Sequence, residues 1–336
     1  MKWSIRPLGE FPALQSEWQE INASAWDTPL LRPEFVNPLI EGFASGGEVV
    51  AVLENGAGPV AMGIFRRASR LGWQTFQPAV APLGAWVCGA GVELGAALRG
   101  LTGALPGFNM LVALSQQDPS LLARPDDRGA IRSFDYIPTA RIEVAGGFED
   151  YWRQRGKNLK HTVKRQRNKL ARSGIATRFE IVTDPGAMAG AVRDYGDMES
   201  SGWKGEAGSS VHGDNHLGRF YTRVLEQFAE RGKAEVWRYW YGNRLVATDL
   251  CIHHAGVVII LKTTYDESER ATSPAHLMRH EALQDIFDHE RFRRIEFYGR
   301  VKDWHSKLTG DVRTMFHVNR YRWPILARLH ETKSEG

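Results

Sequence analysis

Two stretches of twenty residues, EVVAVLENGAGPVAMGIFRR from Glu48 and EVWRYWYGNRLVATDLCIHH from Glu235, both read as strand, turn, strand. The elements around them repeat as well. In the second half, Asp184 and Pro185 supply an N-cap and a first helical position. Met188, Val192, Tyr195 and Met198 then recur at helical spacing. A second helix carries Leu217, Phe220, Val224, Leu225 and Phe228, and Gly232 ends it. Three strands follow, AEVWRYWYG, RLVATDLCIHH and VVIILKTTY, joined by turns short enough for an antiparallel meander. A helix from Pro274, the strand RIEFYG and a last strand around TMFHVNRYR complete the order α-α-β-β-β-α-β-β.

The first half gives the same series. Residues 12–22 and 33–44 read as helices, GEVVAVLE, GPVAMGIFRR and LGWQTFQ as strands, VELGAALRGLTGAL as a helix and FNMLVAL as a strand. Trp26 in NASAWDTP answers Trp203 in ESSGWKGE. The period is far longer than that of a solenoid. The chain is therefore expected to be an α/β (α+β) protein of two tandem units, each a mainly antiparallel sheet flanked by helices. Boundaries are expected at 1–145 and 176–330, with a basic connecting helix over 146–175.

That helix is the main charge feature. From Arg153 to Arg172 there are nine Lys/Arg and no acid, with Leu159, Val163 and Leu170 on one side and Gly174 as a stop. It reads as a solvated connector, as an electrostatic guide for a phosphate-bearing ligand, or as a nucleic-acid track without interleaved aromatics. The excess lies in the later part of the chain: residues 1–130 hold 9 Lys/Arg against 12 Asp/Glu, and the remainder 34 against 27. No secretory signal follows MKWSIRPLGE, and no apolar run approaches a membrane span, so no membrane insertion is expected. Cys88 and Cys251 stand alone in apolar surroundings. A reduced, cytoplasmic protein is the expectation.

The stretch ESERATSPAHLMRHEALQDIF leaves an apolar strand and starts a helix at Ser273-Pro274. A helix start is a natural anion site, because its first amides lack intrahelical partners and its dipole favours negative charge. Other chemistries lack their residues. HEALQ begins like a zinc-protease motif, but Gln284 stands where the second His is needed. His276 and His280 could share a metal, yet no third ligand is evident, so no metal is expected. The serine-hydrolase, P-loop and dinucleotide-binding signatures are all missing from the sequence.

Four stretches carry a family resemblance: KNLKHTVKRQRNKLARSG, ESSGWKG, KTTYDESERATSPAHLMRHEAL and FYGRVKDWHSKL. Their order resembles the tandem acyltransferase (GNAT) fold of FemAB-like and CelD-like proteins. Arg270-Ala-Thr-Ser273-Pro-Ala275 is similar to the GNAT signature Arg/Gln-x-x-Gly-x-Gly/Ala, with Ser273 where Gly is usual. In that family the loop amides cradle the pyrophosphate of coenzyme A. The resemblance thus implies acetyl-CoA or another acyl-CoA as donor. Its phosphates would be held by Arg270, Ser273, the amides of Ala275, His276 and Leu277, and Arg279; Pro274 offers no amide. Lys307 fits the Lys of the CelD-like pattern after FYG. FemAB-like relatives take an aminoacyl group from tRNA instead.

N-acyl transfer needs a neutral amine near the carbonyl, a proton acceptor, and help for the leaving group. The candidates are Asp249 in mid-strand, Glu199 at a helix end, Tyr298 after a strand, and Lys307. Trp203, Lys204 and Tyr265 are candidates for the acceptor pocket. Asp249 also reads as an outward-facing strand residue, Glu199 as solvent-exposed, and the two tyrosines as core aromatics. Three functions stay open. One is acyl transfer from acyl-CoA to an amine or sugar acceptor, such as an amino sugar in envelope or polysaccharide synthesis. The others are a tRNA-dependent aminoacyl transfer and a non-catalytic binding role.

Overall fold

The computed structural model describes residues 1–200, 211 and 215–334, with backbone only for 330–334. Two compact units emerge, Met1–Pro138 with Arg313–Gly336, and Thr139–Val312. The first contains β1 (Lys2–Pro7), α1 (Gln15–Ala25), α2 (Pro33–Phe43), β2 (Val49–Asn55), β3 (Gly58–Ser69), β4 (Gly72–Thr75), β5 (Trp86–Cys88), α3 (Leu94–Ala104), β6 (Leu111–Gln117) and the start of β7 (Ile131–Glu143). The second contains the end of β7, then α4 (Phe148–Arg153), α5 (Lys157–Arg172), β8 (Thr177–Val182), α6 (Met188–Ser200), α7 (His216–Ala229), β9 (Ala234–Tyr241), β10 (Arg244–His254), β11 (Val257–Tyr265), α8 (Pro274–Asp288), β12 (Arg294–Glu296) and α9 (Asp303–Leu308). The chain returns to the first unit with β13 (Val312–Tyr321) and α10 (Pro324–Ser334).

Each unit is a mainly antiparallel sheet flanked by helices, and the duplicated order is visible in both. In the first, the strands run β1-β2-β3-β4-β6-β13, with β5 beside β3. In the second they run β7-β12-β11-β10-β9-β8. Each sheet has one parallel pair at the same place in the series: β4 with β6 over Gly72–Gln74, and β11 with β12 over Val257–Ile259. A helix precedes β6 and β12 alike, as a parallel crossover requires.

The division differs from the sequence-based boundaries. The closing strand of the first unit is β13, from the end of the chain, and that of the second is the end of β7. The basic helix α5 belongs to the second unit. Leu159, Val163, Gln166 and Leu170, spaced by three and four, are buried against a core that includes Tyr239, Leu277 and Leu283. Burying each aliphatic contributes about 1.5–3 kcal/mol, which fixes the helix while its cations face outward. The first unit has its own core around Phe65, Trp86, Leu98, Leu101 and Phe316. Cys88 and Cys251 are buried free thiols in separate units.

Candidate functional site

The site arises where two strands of the second unit part. β11 pairs with β12 only at Val257–Arg294, Val258–Ile295 and Ile259–Glu296. On its other edge, Ile260 pairs with Cys251 and Lys262 with Leu250, so Leu261 is an extra residue, a β-bulge. A bulge bends its strand and increases the local twist. Here it falls two residues after the last β11–β12 pair. β11 continues to Tyr265 without pairing to β12, and the Thr263 carbonyl in this stretch accepts from the Tyr195 hydroxyl at 3.2 Å.

A cavity of about 740 Å³ lies at this opening. Its walls are Met198 and Glu199 of α6, Thr263 to Tyr265 of β11, Glu267 and Arg270 of the following turn, Ser273 to His276 and Arg279 at α8, and Lys302 to Trp304 with Lys307 at α9. Eight expected site residues are therefore together: Glu199, Tyr265, Arg270, Ser273, Ala275, His276, Arg279 and Lys307. Asp249 and Tyr298 are not among the walls, and Leu277 is a fully buried core side chain. Trp203 and Lys204 lie outside the described residues.

The start of α8 differs from a capped helix. Ser273 adopts φ 56° and ψ 51°, the left-handed conformation, and its side chain makes no capping bond. A serine before Pro at a helix head normally caps it, but capping needs extended backbone at that position, so Ser273 does not cap α8. The geometry also shows why glycine suits this position, since only glycine enters that region without steric cost. The amides of His276 and Leu277 both donate to the Ser273 carbonyl, at 3.0 and 3.2 Å. Of the three amides expected to face an anion, Ala275 remains. Exposed Arg270 and exposed Lys302 and Lys307 add positive charge at the same wall.

Arg279 serves a different purpose from the phosphate contact expected of it. It is buried, donates to the Thr263 hydroxyl, and stands 3.5 Å from the Asp249 carboxylate. Its guanidinium lies over the Trp304 ring. Asp249 is fully buried behind it, so the reading of an outward strand residue is overturned. Burial pushes the Asp249 carboxyl up, and the Arg279 charge and a Thr263 hydrogen bond oppose that. Asp249 thus anchors Arg279 and does not itself reach the cavity.

Glu199 is likewise buried, against the solvent-exposed reading. It accepts from the Tyr195 hydroxyl at 3.0 Å and from the Val211 amide at 2.8 Å. Burial, then the Glu199 charge, pushes the Tyr195 phenol well up, so it stays protonated and donates. His276 is pushed down to about 4, by burial first and then by Arg279 and Lys307, which leaves a neutral imidazole at neutral pH. Two residues on wall-forming or wall-flanking loops, Ser273 and Tyr298, hold positive φ without being glycine. Such conformations cluster where surrounding structure enforces them.

Some wall residues escaped the sequence reading. Trp304 stands three residues before Lys307, on the same side of the one-turn helix α9. Thr263 is in the KTTY stretch, where its role as an Arg279 partner has no local signature. The basic helix α5 contributes nothing to the cavity walls. Among the described residues, no three His, Cys, Asp or Glu side chains group as a metal site would need. His280, the suggested partner of His276, instead faces the Arg167 guanidinium at 3.1 Å and packs edge-on to Trp152.

Residues 157–306 match the family model of the acetyltransferase (GNAT) domain. No curated protein matches the chain in sequence. Among solved structures, the C-terminal domain (DUF2156) of a putative lysylphosphatidylglycerol synthetase from Agrobacterium fabrum is similar at 12% identity and TM-score 0.57, over 96% of either chain. A conserved protein of unknown function from Bacteroides thetaiotaomicron is similar at 12% identity and TM-score 0.56, over 91% of this chain and 97% of that one. FemX is similar at 9% identity and TM-score 0.56, over 94% and 98%. At such identities the likeness is one of fold. The match over residues 157–306 falls within the second unit and supports an acyltransferase built on a GNAT domain there.

Proposed function

We propose that this GNAT acyltransferase takes its acyl group from an acyl-CoA lying between β11 and β12 and passes it to a primary amine, such as that of an amino sugar. The observation that carries this reading is the parting of β11 from β12 at Leu261, with a cavity of about 740 Å³ at its mouth. An extended pantetheine chain carries amides that can pair with the edge of β11 beyond its pairing to β12, as an added strand would. Its diphosphate would meet the Ala275 amide, Arg270 and the lysines of the α9 wall.

The chemistry then follows from the walls. The amine nitrogen attacks the thioester carbonyl, and the tetrahedral intermediate expels the thiolate. Glu199, directly or through one water, accepts the proton the nitrogen loses. The Tyr265 hydroxyl, on the same wall, would donate one to the leaving sulfur. His276, neutral, offers an alternative acceptor. Arg279, locked by Thr263 and Asp249, holds Trp304 as a fixed wall for the acyl carbonyl region. We place this activity in the cytoplasm, where acyl-CoA is made; among the described residues no helix is long and apolar enough to cross a membrane.

A second reading, transfer from an aminoacyl-tRNA, has one observation in its favour. Lys157, Lys164, Arg165, Lys169 and Arg172 are all exposed on α5. The test is a thermal-shift series with acetyl-CoA, longer acyl-CoAs and aminoacyl-tRNA. A ligand at a hundred times its dissociation constant stabilises by about 2.7 kcal/mol. Stabilisation by an acyl-CoA is expected. Stabilisation by aminoacyl-tRNA alone, lost when the α5 cations are reversed, would replace the acyl-CoA reading with the second.

A further inference from the structure

Three tips of the first unit meet at one end of its sheet. Gly72 of β4 pairs with Leu111 of β6, and Leu111 pairs with Tyr321 of β13. The turn before Gly72, the loop before Leu111 and the turn after Tyr321 must therefore lie side by side. Hydrogen bonds join them. Met110 donates to the Leu71 carbonyl and Arg322 to the Met110 carbonyl, each at 2.8 Å. Arg67 donates to the Pro106 carbonyl at 2.6 Å.

These tips carry apolar side chains into solvent. Leu71, Phe108, Trp323, Ile325 and Leu329 are between 42% and 57% exposed. Phe108 and Trp323 stand with ring centroids 6.0 Å apart, and the Arg322 guanidinium lies 4.8 and 5.8 Å from them. Ile325 and Leu329 are one turn apart on α10, whose opposite side buries Ala327. The three tips are rich in arginine, while the neighbouring turn 124–130, joined to them where the Tyr321 amide donates to the Ala130 carbonyl, balances Arg124 and Arg128 with Asp126 and Asp127. Residues 66–72, 104–111 and 320–329 contain six arginines and no Asp or Glu. This contrasts with a first part of the chain in which acids outnumber bases.

We propose that this end of the first unit is a docking surface for an anionic lipid bilayer. Rings and aliphatic tips at the headgroup boundary, with arginines beside them, are the composition such an interface selects. Anionic headgroups would neutralise the exposed Arg67, Arg70 and Arg328, each near-surface cation adding to the attraction. A second copy of the chain fits poorly. A two-fold contact would set the same arginines against each other. A single-stranded nucleic acid fits poorly too, since three of the five tips are aliphatic and Arg322 lies over both rings.

The test is co-sedimentation of the full chain with vesicles of phosphatidylcholine alone and of equal parts phosphatidylcholine and phosphatidylglycerol. Retention on the anionic vesicles only is expected, weakening as salt rises. Arg70→Glu/Arg328→Glu should lower the partition by about thirty-fold or more. Phe108→Ser/Trp323→Ser should lower it while the melting temperature stays that of the wild type, since both rings are exposed. Absence of retention at low salt overturns the proposal, as does equal retention of wild type and both variants. A concentration-dependent dimer abolished by Phe108→Ser/Trp323→Ser, without vesicle binding, would assign the surface to a second copy. Retention of a single-stranded oligonucleotide in place of vesicles would assign it to nucleic acid.

Discussion

The guanidinium of Arg279 lies 4.0 Å from the centroid of the Trp304 ring. One residue belongs to α8 and the other to α9, and both face the cavity. The contact joins the helix that follows β11 to the short helix that forms the opposite wall. Behind it, Asp249 has no exposed surface and pairs with the Arg279 guanidinium at 3.5 Å. Removing Arg279 therefore leaves a buried carboxylate without its counter-charge. Arg279→Ala is expected to cost about 3–5 kcal/mol of stability, and Arg279→Met with Asp249→Leu to recover much of it. Urea unfolding of the three proteins checks this. Equal stability of Arg279→Ala and wild type would deny the pair its structural role.

Ser273 separates two accounts of the helix start. Were its hydroxyl a cap, Ser273→Ala would cost about 1 kcal/mol. The left-handed backbone and absent capping bond lead to a different expectation. Ser273→Ala should change stability little, and Ser273→Gly should leave it unchanged or raise it by up to about 1 kcal/mol, because glycine adopts that conformation without strain. Melting curves of the two variants distinguish the accounts.

That residue also shows where sequence reading stops. A serine before proline at the head of a helix is the usual sign of a cap, and nothing local reveals the sign of φ. The turn is set by the preceding short helix, whose Arg270 carbonyl takes the Ser273 amide at 3.2 Å. The meander from Ala234 to Tyr265 was legible because its alternation and short turns are local. So were the helix at Met188 and the one at Pro274. The strands Thr177–Val182 and Ile131–Glu143 were missed, for opposite reasons. The first is mostly half-exposed and polar at its start. The second has Pro138 within it, which argues against a strand. Which closing strand serves which sheet depends on partners far away in the chain, so the unit boundaries were not readable from composition. The bulge at Leu261 lies within an unbroken apolar run and has no sequence mark at all.

Arg270 should act on ligand binding and not on folding. It is exposed at the cavity wall. Arg270→Ala is expected to leave the melting temperature unchanged and weaken acetyl-CoA binding by about tenfold, as loss of one charge-assisted bond to phosphate would. Isothermal titration beside the melting curve is the measurement. Equal affinity would show that the loop before α8 does not hold the donor's phosphates.

Glu199 tests the chemistry. Glu199→Gln keeps its size and can still accept from the Val211 amide, so donor affinity should persist. Loss of a positioned proton acceptor should lower kcat by about 10²–10⁴-fold. If kcat is unchanged, His276 takes the role, and His276→Gln should then show the loss.

Acid stability gives the last expectation. His280 and His305 are both buried and both pushed down to about 4, chiefly by burial, with Arg167 beside the first and Arg279 beside the second. An unfolded histidine titrates near 6.5. Between these values the unfolded chain binds protons that the folded one refuses, so stability is present above about pH 6.5 and is lost as pH falls toward 4. At pH 5 each of the two should subtract about 2 kcal/mol relative to pH 7. Urea midpoints should fall steeply over this range. His280→Gln, which carries no titrating group, should show a shallower fall than wild type, whatever its stability at pH 7. A parallel decline in both proteins would mean that His280 does not stay neutral in the folded state.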